Sequence, residues 1–410
     1  MKNRAILHSD ANCFYASCEM VLRPELRDKA VAVCGSTEER HGIVLAKSEK
    51  AKKAGVTTGM PNWEALQKCP ELVIVPPRFD YYVRFSKLLH EIYERYTDYI
   101  EPYGMDECWL DVSDSIKSPM EIAEEIRQAV KDELGLTVSI GVSFNKVFAK
   151  LGSDMKKPDA ITEITRENFK DKVWPLPCSE LLYCGRQTSI GLEKIAVHTI
   201  GELASLPCDY VTKKFGKNGH SLWLFANGLD ESRVAHMDYY VPAKSLGHGV
   251  TCVENIDSYE DANKVIVALS QDIGYKLRDM NLCAGGVSLT VKDKNLTYQS
   301  FQKRLTNPTQ DELLISKTAY ELLRENYSFK EKIRAITVTA IHLNEEGAPV
   351  QSVMLYDYEA DEKRKRLNSA LDEIKNTFGK GAIKPAVILD ENKMPKNSHK
   401  EIILPGMMHK

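Results

Sequence analysis

Apolar and polar positions alternate in short blocks along the first 145 residues, and the blocks differ in period. Ala5-Ile6-Leu7-His8-Ser9-Asp10 reads as a buried strand whose last residue is Asp10, followed by the small Ala11 and Asn12. A helix is predicted near Phe14 to Val21, and a strand over Ala30 to Cys34, ending at Gly35. Gly42 to Leu45 follows, then a lysine-bearing helical segment from Lys47 to Ala54, stopped by Gly55. From Phe79 to Tyr96 the apolar residues Phe85, Leu88, Leu89, Ile92 and Tyr96 recur at the spacing of one helical face. Ser118-Pro119-Met120-Glu121 is a capping box with proline at the first helical position. The helix it opens, with Ile122, Ile126, Val130 and Leu134 inward, ends at Gly135 and runs into a strand from Leu136 to Val142. Strand, hairpin, helix and strand in this order predict an antiparallel sheet covered by helices on one face, and an α+β class.

Beyond residue 175 the pattern changes. Residues 175–235 read as short helices separated by Gly and Pro. Leu181 to Gln187, with Gly185, followed by Ile190 to Ile195 and Thr199 to Ala204, looks like a helix-hairpin-helix, which offers backbone N–H groups to a phosphate without reading bases. Lys213-Lys214-Phe215-Gly216-Lys217-Asn218-Gly219 reads as a basic turn, either solvated or tracking a phosphate backbone. A polar connection spans residues 236–243. Gly249 to Glu254, Gly286 to Lys292 and Arg334 to Leu343 then alternate as strands, with helices around Ala262 to Arg278 and Gln310 to Asn326. Leu367, Leu371, Ile374 and Phe378 mark an amphipathic helix closed by Gly379, and the tail from Glu391 is polar.

The candidate chemistry lies in Tyr103-Gly104-Met105-Asp106-Glu107-Cys108-Trp109-Leu110-Asp111. Neighbours on a regular strand point to opposite faces, so Asp106 and Glu107 serve one site only if the chain bends, and Gly104 tolerates the bend. Cys108, Leu110 and Val112 alternate as the buried face of the outgoing strand of a hairpin. Paired acids in a half-buried setting repel and imply a cation, and hard oxygen ligands favour magnesium, calcium or manganese over zinc. Taken alone, the stretch is also read as an exposed acidic turn. Asp10 supplies a third acid if its strand neighbours the hairpin. Three such carboxylates suffice to hold two divalent ions for in-line phosphoryl or nucleotidyl transfer.

Composition adds boundaries. The 410 residues suggest three or four domains at about 100 to 200 residues each. With 43% hydrophobic and 28% charged residues the chain is of ordinary globular make-up. No run is apolar enough to span a membrane and no signal segment opens the chain, so a cytoplasmic place and no membrane partner are expected. The ten cysteines are scattered singly, which indicates reduced packing residues rather than zinc ligands or disulfides. A formal net charge of −3 does not by itself suggest a nucleic-acid partner.

Three stretches in order carry a resemblance: Ser9-Asp10-Ala11-Asn12-Cys13-Phe14-Tyr15-Ala16-Ser17, Met105 to Asp111, and Gly141-Val142-Ser143-Phe144-Asn145-Lys146-Val147-Phe148-Ala149-Lys150. Together they resemble the signature motifs of the Y-family, or lesion-bypass, DNA polymerases, nearest to the bacterial DNA polymerase IV group. The resemblance implies a right-hand polymerase. Its ferredoxin-like palm would cover residues 1–10 and 79–166, and its small fingers 11–78. A helical thumb over 167–235 and an α/β little-finger domain over 243–345 would follow, then a C-terminal peptide and helix over 346–390 and a flexible tail over 391–410.

It further implies that Asp10, Asp106 and Glu107 are catalytic. With the Ala11 carbonyl they would hold two Mg2+ ions, with Mn2+ as a substitute. Phe14, Tyr15, Leu45, Ala46, Lys52 and Lys157 would line the nucleotide site, Tyr15 as a steric gate against a 2′-hydroxyl. Gly185, Lys213, Lys214, Lys217, Lys244, Lys292 and Arg334 are the candidates for DNA contact. Gln351, Met354, Leu355 and Tyr356 sit where relatives carry a sliding-clamp peptide, and an edge strand is the competing reading there. The implied partners are primer-template DNA, deoxynucleoside triphosphates and a sliding clamp, with the chain a monomer. Five positions depart from the family pattern: Glu49 replaces a tyrosine and Lys52 an arginine at the triphosphate site, Leu45 and Ala46 replace the alanine and threonine that commonly cover the nascent base pair, and Gln187 replaces a hairpin glycine. A nucleotide cyclase shares the palm but has no use for a helix-hairpin-helix and a further domain. A non-catalytic DNA or clamp scaffold is opposed by the intact carboxylates.

Overall fold

The computed structural model describes residues 4–40, 42–345, 358–379, 381–389 and 393–395. They fall into two units: one takes in residues up to Gly35 and from Ile43 to Tyr240, the other the Ser36–Gly42 loop and residues from Val241 onward.

The first unit opens with β1 (Ile6–Ala11) and α1 (Phe14–Leu22). β2 (Val31–Cys34), β3 (Val44–Lys47), α2 (Glu49–Lys53), α3 (Asn62–Lys68) and β4 (Val73–Val75) follow as a small insertion with its own three-stranded sheet, ordered β3-β2-β4. Then come α4 (Phe79–Tyr93), β5 (Ile100–Pro102), β6 (Glu107–Asp111), α5 (Pro119–Leu134), β7 (Val138–Ser143), α6 (Lys146–Met155) and β8 (Ile161–Ile164). The predicted capping box is complete: Glu121 N–H donates to Ser118 Oγ at 3.2 Å and Ser118 N–H to Glu121 Oε2 at 2.8 Å. Such a cap adds about 1 kcal/mol to α5.

The main sheet runs β5-β6-β1-β7-β8, with β1 in the centre and antiparallel to both neighbours. Two expectations are corrected. β8 pairs parallel with β7, because the chain crosses over through α6 before returning. Helices cover both faces, not one. Leu7, Leu110 and Val142 meet Ile122, Ile126 and Val130 of α5 and Leu89 and Ile92 of α4. On the other face Ile6 and Trp109 meet Ala149 of α6. Cys108, Leu110 and Val112 are therefore buried as expected, but so is Trp109 between them, at 2% exposure. α6 lies this close because β7 offers it Gly141, where a Cβ would fall 1.8 Å from the Ala149 carbonyl oxygen.

The outer side of α6, with Phe148 and Leu151, packs into a second core with α7 (Phe169–Val173), α8 (Arg186–Glu193), α9 (Ile200–Ser205) and α10 (Cys208–Ala226). The basic turn expected over residues 213–219 is instead helical within α10, broken only at Gly216 (φ 65°, ψ −151°).

The second unit comprises β9 (Ser245–Ile256), α11 (Tyr259–Asp279), β10 (Leu282–Asp293), β11 (Tyr298–Thr309), α12 (Glu312–Asn326), β12 (Ile333–Glu345) and α13 (Tyr358–Phe378). Its antiparallel sheet is ordered β11-β10-β12-β9, with α11 and α12 packed on it. Strand β11 was not anticipated, since its Gln, Lys, Arg and Ser residues leave it exposed with no apolar alternation. The α13 helix forms as predicted but turns a different face inward. Leu367 and Phe378 are 56% and 74% exposed, while Asn368 and Lys375 are buried. The reason is polar docking: Arg278 donates to Asp372 at 2.6 and 2.9 Å and to Glu312 at 2.8 Å, and Arg364 to Asp311 at 2.9 Å. Residues 351–356, with Gln351, Met354, Leu355 and Tyr356, lie outside the described residues.

Candidate active site

The register of the central strands decides which acids meet. Asp10 stands directly opposite Glu107 across the β1–β6 pair, so their side chains share the face that α6 covers. Asp106 precedes β6 in a turn that Gly104 enters at φ 116°, a conformation side chains with a Cβ rarely adopt. Its carbonyl accepts from the Ala11 N–H at 2.9 Å, closing the turn against the end of β1. The predicted bend is thus present, and the three acids gather at one end of the sheet. Asp111, farther along β6, accepts from the Ser113 N–H at 3.0 Å and faces no part of this group.

The acids differ in environment. Burial pushes Asp10 up to about 6, although the charge of Lys157 pulls it down. Burial, then the neighbouring charges of Asp10 and Glu107, pushes Asp106 up to about 7. For Glu107, burial opposes ionisation, but hydrogen bonds from His8 and Lys150 prevail and hold it down at about 2. Two lysines carried by α6 and its exit supply the opposing charge. Lys157 Nζ donates to Asp10 Oδ2 at 2.7 Å and to Asp154 at 2.9 Å, and Lys150 Nζ donates to Glu107 Oε2. Hard oxygen donors of which two are disfavoured as free anions suit a divalent cation of the magnesium kind. Among the described residues no three His, Cys, Asp or Glu side chains already form a cage, and ammonium groups hold Asp10 and Glu107.

Beside the acids, Tyr15 on α1 stacks its ring on Tyr82 (4.5 Å, 13°) and directs its hydroxyl at Met105 Sδ, 3.7 Å away. Phe14 turns inward and is 3% exposed. Leu45 and Ala46 are half-buried on β3. Lys52 is exposed on α2 and pairs with Glu49 at 3.8 Å; Glu49 also accepts from the Cys13 thiol at 3.2 Å. The acid that departs from the family pattern is thereby held by a neighbouring lysine. Gly185 caps α8 in the open, and Lys213, Lys214 and Lys217 are exposed around the Gly216 break. In the second unit Lys244 is exposed, Lys292 lies 4.8 Å over the Tyr298 ring, and Arg334 is half-buried on β12.

Several residues of the site escaped the sequence reading. Asn12 ties the loop after β1 to the exit of α6: its Oδ1 accepts from Asp159 N–H at 2.9 Å and from Thr137 at 3.1 Å, which brings Lys157 to Asp10. His8 and Ser153 are fully buried beneath Glu107. Burial pulls His8 down to about 4, against the opposing influence of Glu107. Lys146 bonds Glu101 at 2.6 Å while lying over Trp109. The signal for these was the spacing of Lys146, Lys150 and Ser153, which places them on adjoining faces of one helix.

A five-stranded palm-like sheet with acids at one end, a small inserted sheet, a helical segment and a separate four-stranded unit define the class of right-hand nucleotidyl-transfer folds. A Y-family DNA polymerase chimera shares this architecture at a TM-score of 0.73 and 23% identity, over 83% of this chain and 100% of that one. Residues 9–154 match the impB/mucB/samB family and residues 243–353 its C-terminal domain. DNA polymerase IV of Acetivibrio thermocellus is 44% identical over 391 residues, 95% of this chain and 98% of that protein. DNA polymerase IV 1 of Bacillus subtilis is 33% identical over 95% of this chain and 94% of its own length. The chain belongs to the impB/mucB/samB family and is a Y-family DNA polymerase of the DNA polymerase IV kind. Among the described residues no helix is long and apolar enough to cross a membrane.

Proposed function

We propose that the chain copies damaged DNA templates by two-metal-ion nucleotidyl transfer, with low fidelity and no proofreading step. A primer 3′-hydroxyl attacks the α-phosphate of a deoxynucleoside triphosphate and pyrophosphate leaves. The observation that carries this reading is the antiparallel pairing of Asp10 with Glu107 beside the Asp106 turn. Asp10 and Asp106 would hold both Mg2+ ions, or Mn2+ in their place, with Glu107 on the primer side and the Ala11 carbonyl on the nucleotide side. When bound, the ions supply positive charge at the attacking and leaving oxygens.

The chain's own groups do the remainder. Lys157 and Lys52 neutralise the triphosphate as point charges. Tyr15, braced by Tyr82, fills the space a ribose 2′-hydroxyl would need. Leu45 and Ala46 cover the nascent base pair. Palm, fingers, thumb and little finger take the bounds expected from the sequence. Gly185, Lys213, Lys214 and Lys217 in the thumb, with Lys244, Lys292 and Arg334 in the little finger, contact the DNA backbone. A clamp-binding peptide at 351–356, a monomeric state and a cytoplasmic place complete the proposal. Primer extension with Mg2+ tests it: the parent should extend, and Asp106→Ala and Glu107→Ala should lose extension by at least about a hundredfold. A parent that extends nothing would leave the scaffold reading.

A further inference from the structure

Among the described residues His8 is the one fully buried imidazole on the face of the sheet that carries the acids, two residues before Asp10 on β1. Register sets it opposite Trp109 on β6 and Gly141 on β7, between the strand bearing Glu107 and the strand on which α6 rests. Its Nδ1 lies 2.8 Å from Ser153 Oγ and its Nε2 3.4 Å from Glu107 Oε2, and its ring meets Trp109 edge-on at 5.1 Å. Ser153 Oγ also lies 2.7 Å from the carbonyl of Lys150, whose ammonium reaches the same Glu107 oxygen. Glu107 Oε2 is thus approached from below by the imidazole and from the side by the lysine.

Proton counting selects the arrangement. The Ser153 hydroxyl has one proton to donate. If it goes to the Lys150 carbonyl, Nδ1 carries the imidazole proton and a bare Nε2 faces an ionised carboxylate, which is repulsive. If it goes to Nδ1, the Lys150 carbonyl loses its donor, but the Nε2–H lies on the Glu107 side, 3.4 Å from Oε2, an electrostatic attraction short of a formed hydrogen bond. Only the second tautomer attracts Glu107, so Ser153 fixes the imidazole and the imidazole fixes the carboxylate.

We infer that His8 is a positioning residue for the polymerase reaction: with Ser153 it holds the Glu107 carboxylate in the orientation that receives the primer-side cation. This inference rests on the reading in which Glu107 is a cation ligand. It explains why a polar ring is buried in β1 directly after Ile6 and Leu7, both at 0% exposure.

The test uses the full-length protein with His8→Leu, His8→Gln and Ser153→Ala, each checked for folding by circular dichroism. Two quantities are read: kcat and KM for nucleotide in primer extension, and Mn2+ affinity by calorimetry on the complex with a dideoxy-terminated primer, where no turnover occurs. His8→Leu should lower both Mn2+ affinity and kcat by about tenfold or more, with nucleotide KM at saturating metal changed less than about twofold. His8→Gln, which keeps a donor, should recover most of the loss, and Ser153→Ala should show a smaller loss in the same direction. Folded His8→Leu with parental Mn2+ affinity and kcat overturns the inference, as does a loss confined to nucleotide KM. Should His8→Leu not fold, Ser153→Ala with parental values overturns it. A parent that extends no primer defeats the polymerase reading instead, a result distinct from parental behaviour of the variants.

Discussion

Gly141→Ala should damage the site from beneath without touching any acid. Gly141 sits on β7 between His8 of β1 and Thr162 of β8, and its backbone is ordinary strand, so space alone demands glycine there. An added Cβ would lie 1.8 Å from the Ala149 carbonyl oxygen and 2.6 Å from the Ser153 nitrogen. Ordinary contact begins near 3.4 Å, so helix and strand must part by roughly 1.6 Å, and the obstructing atoms are backbone that no rotamer change can clear. Overpacking of this kind costs about 1 to 3 kcal/mol, with the upper end expected here. For a unit of this size that is a fall in Tm of roughly 6 to 12 °C. The same displacement would stretch the 2.8 Å Ser153–His8 contact beyond hydrogen-bond length and carry Lys150 and Lys157 away from Glu107 and Asp10. Thermal unfolding followed by circular dichroism, with primer extension at 25 °C, measures both effects. Gly185→Ala, where a Cβ meets nothing within 4 Å, is the control and should shift stability by less than about 0.5 kcal/mol. A Gly141→Ala protein with parental Tm and extension rate would refute the close seating of α6.

Lys157→Ala should raise nucleotide KM roughly tenfold or more, since a charge-assisted contact worth about 1.5 to 3 kcal/mol is removed, and steady-state kinetics with an unchanged KM would contradict the assignment. Tyr15→Ala should raise ribonucleotide incorporation by at least about tenfold relative to deoxyribonucleotide, with unchanged sugar discrimination as the opposing result. Glu19, buried on α1, accepts from Arg78 at 3.0 and 2.6 Å and from the Tyr82 hydroxyl at 2.7 Å. Burial raises its pKa but these partners and Arg23 outweigh it and hold the carboxyl below its ordinary value. A depressed pKa means stability that is present above the ordinary glutamate range of about 4.3 and lost as pH falls through the folded value. Acid unfolding of Glu19→Gln should therefore start from a lower Tm near neutrality and fall less steeply below about pH 4.5 than the parent, and parallel Tm–pH curves would contradict this.

The elements that position the acids were legible because each carries local information. Gly104 marks the bend, the alternation after Cys108 marks β6, and Ser118 with Glu121 caps α5. The placement of α6 was not legible. Its inner side, with Ala149, Gly152 and Ser153, and its outer side, with Phe148 and Leu151, are both buried, and such a helix does not announce which layer it lies between. Consequently the second covered face, the burial of Trp109 and the pairing of Lys150 with Glu107 were all missed. His8 escaped for a related reason: a polar residue in a buried strand signals a partner, but the partner lies 145 residues away. In β11 and α13, where ion pairs and exposed polar residues replace an apolar stripe, the hydrophobic pattern had nothing to report about pairing or about the docked face.

In the proposed reaction Asp10, Asp106 and Glu107 together take divalent cations. Anomalous diffraction at the manganese edge, from crystals grown with primer-template, an incoming nucleotide and Mn2+, tests it most directly. Two manganese peaks contacted by Asp10 and Asp106, with Glu107 on the primer-side ion and Lys157 moved from Asp10 to the triphosphate, are the predicted result. A nucleotide bound with no manganese at these carboxylates, and Lys157 still paired to Asp10, would contradict it.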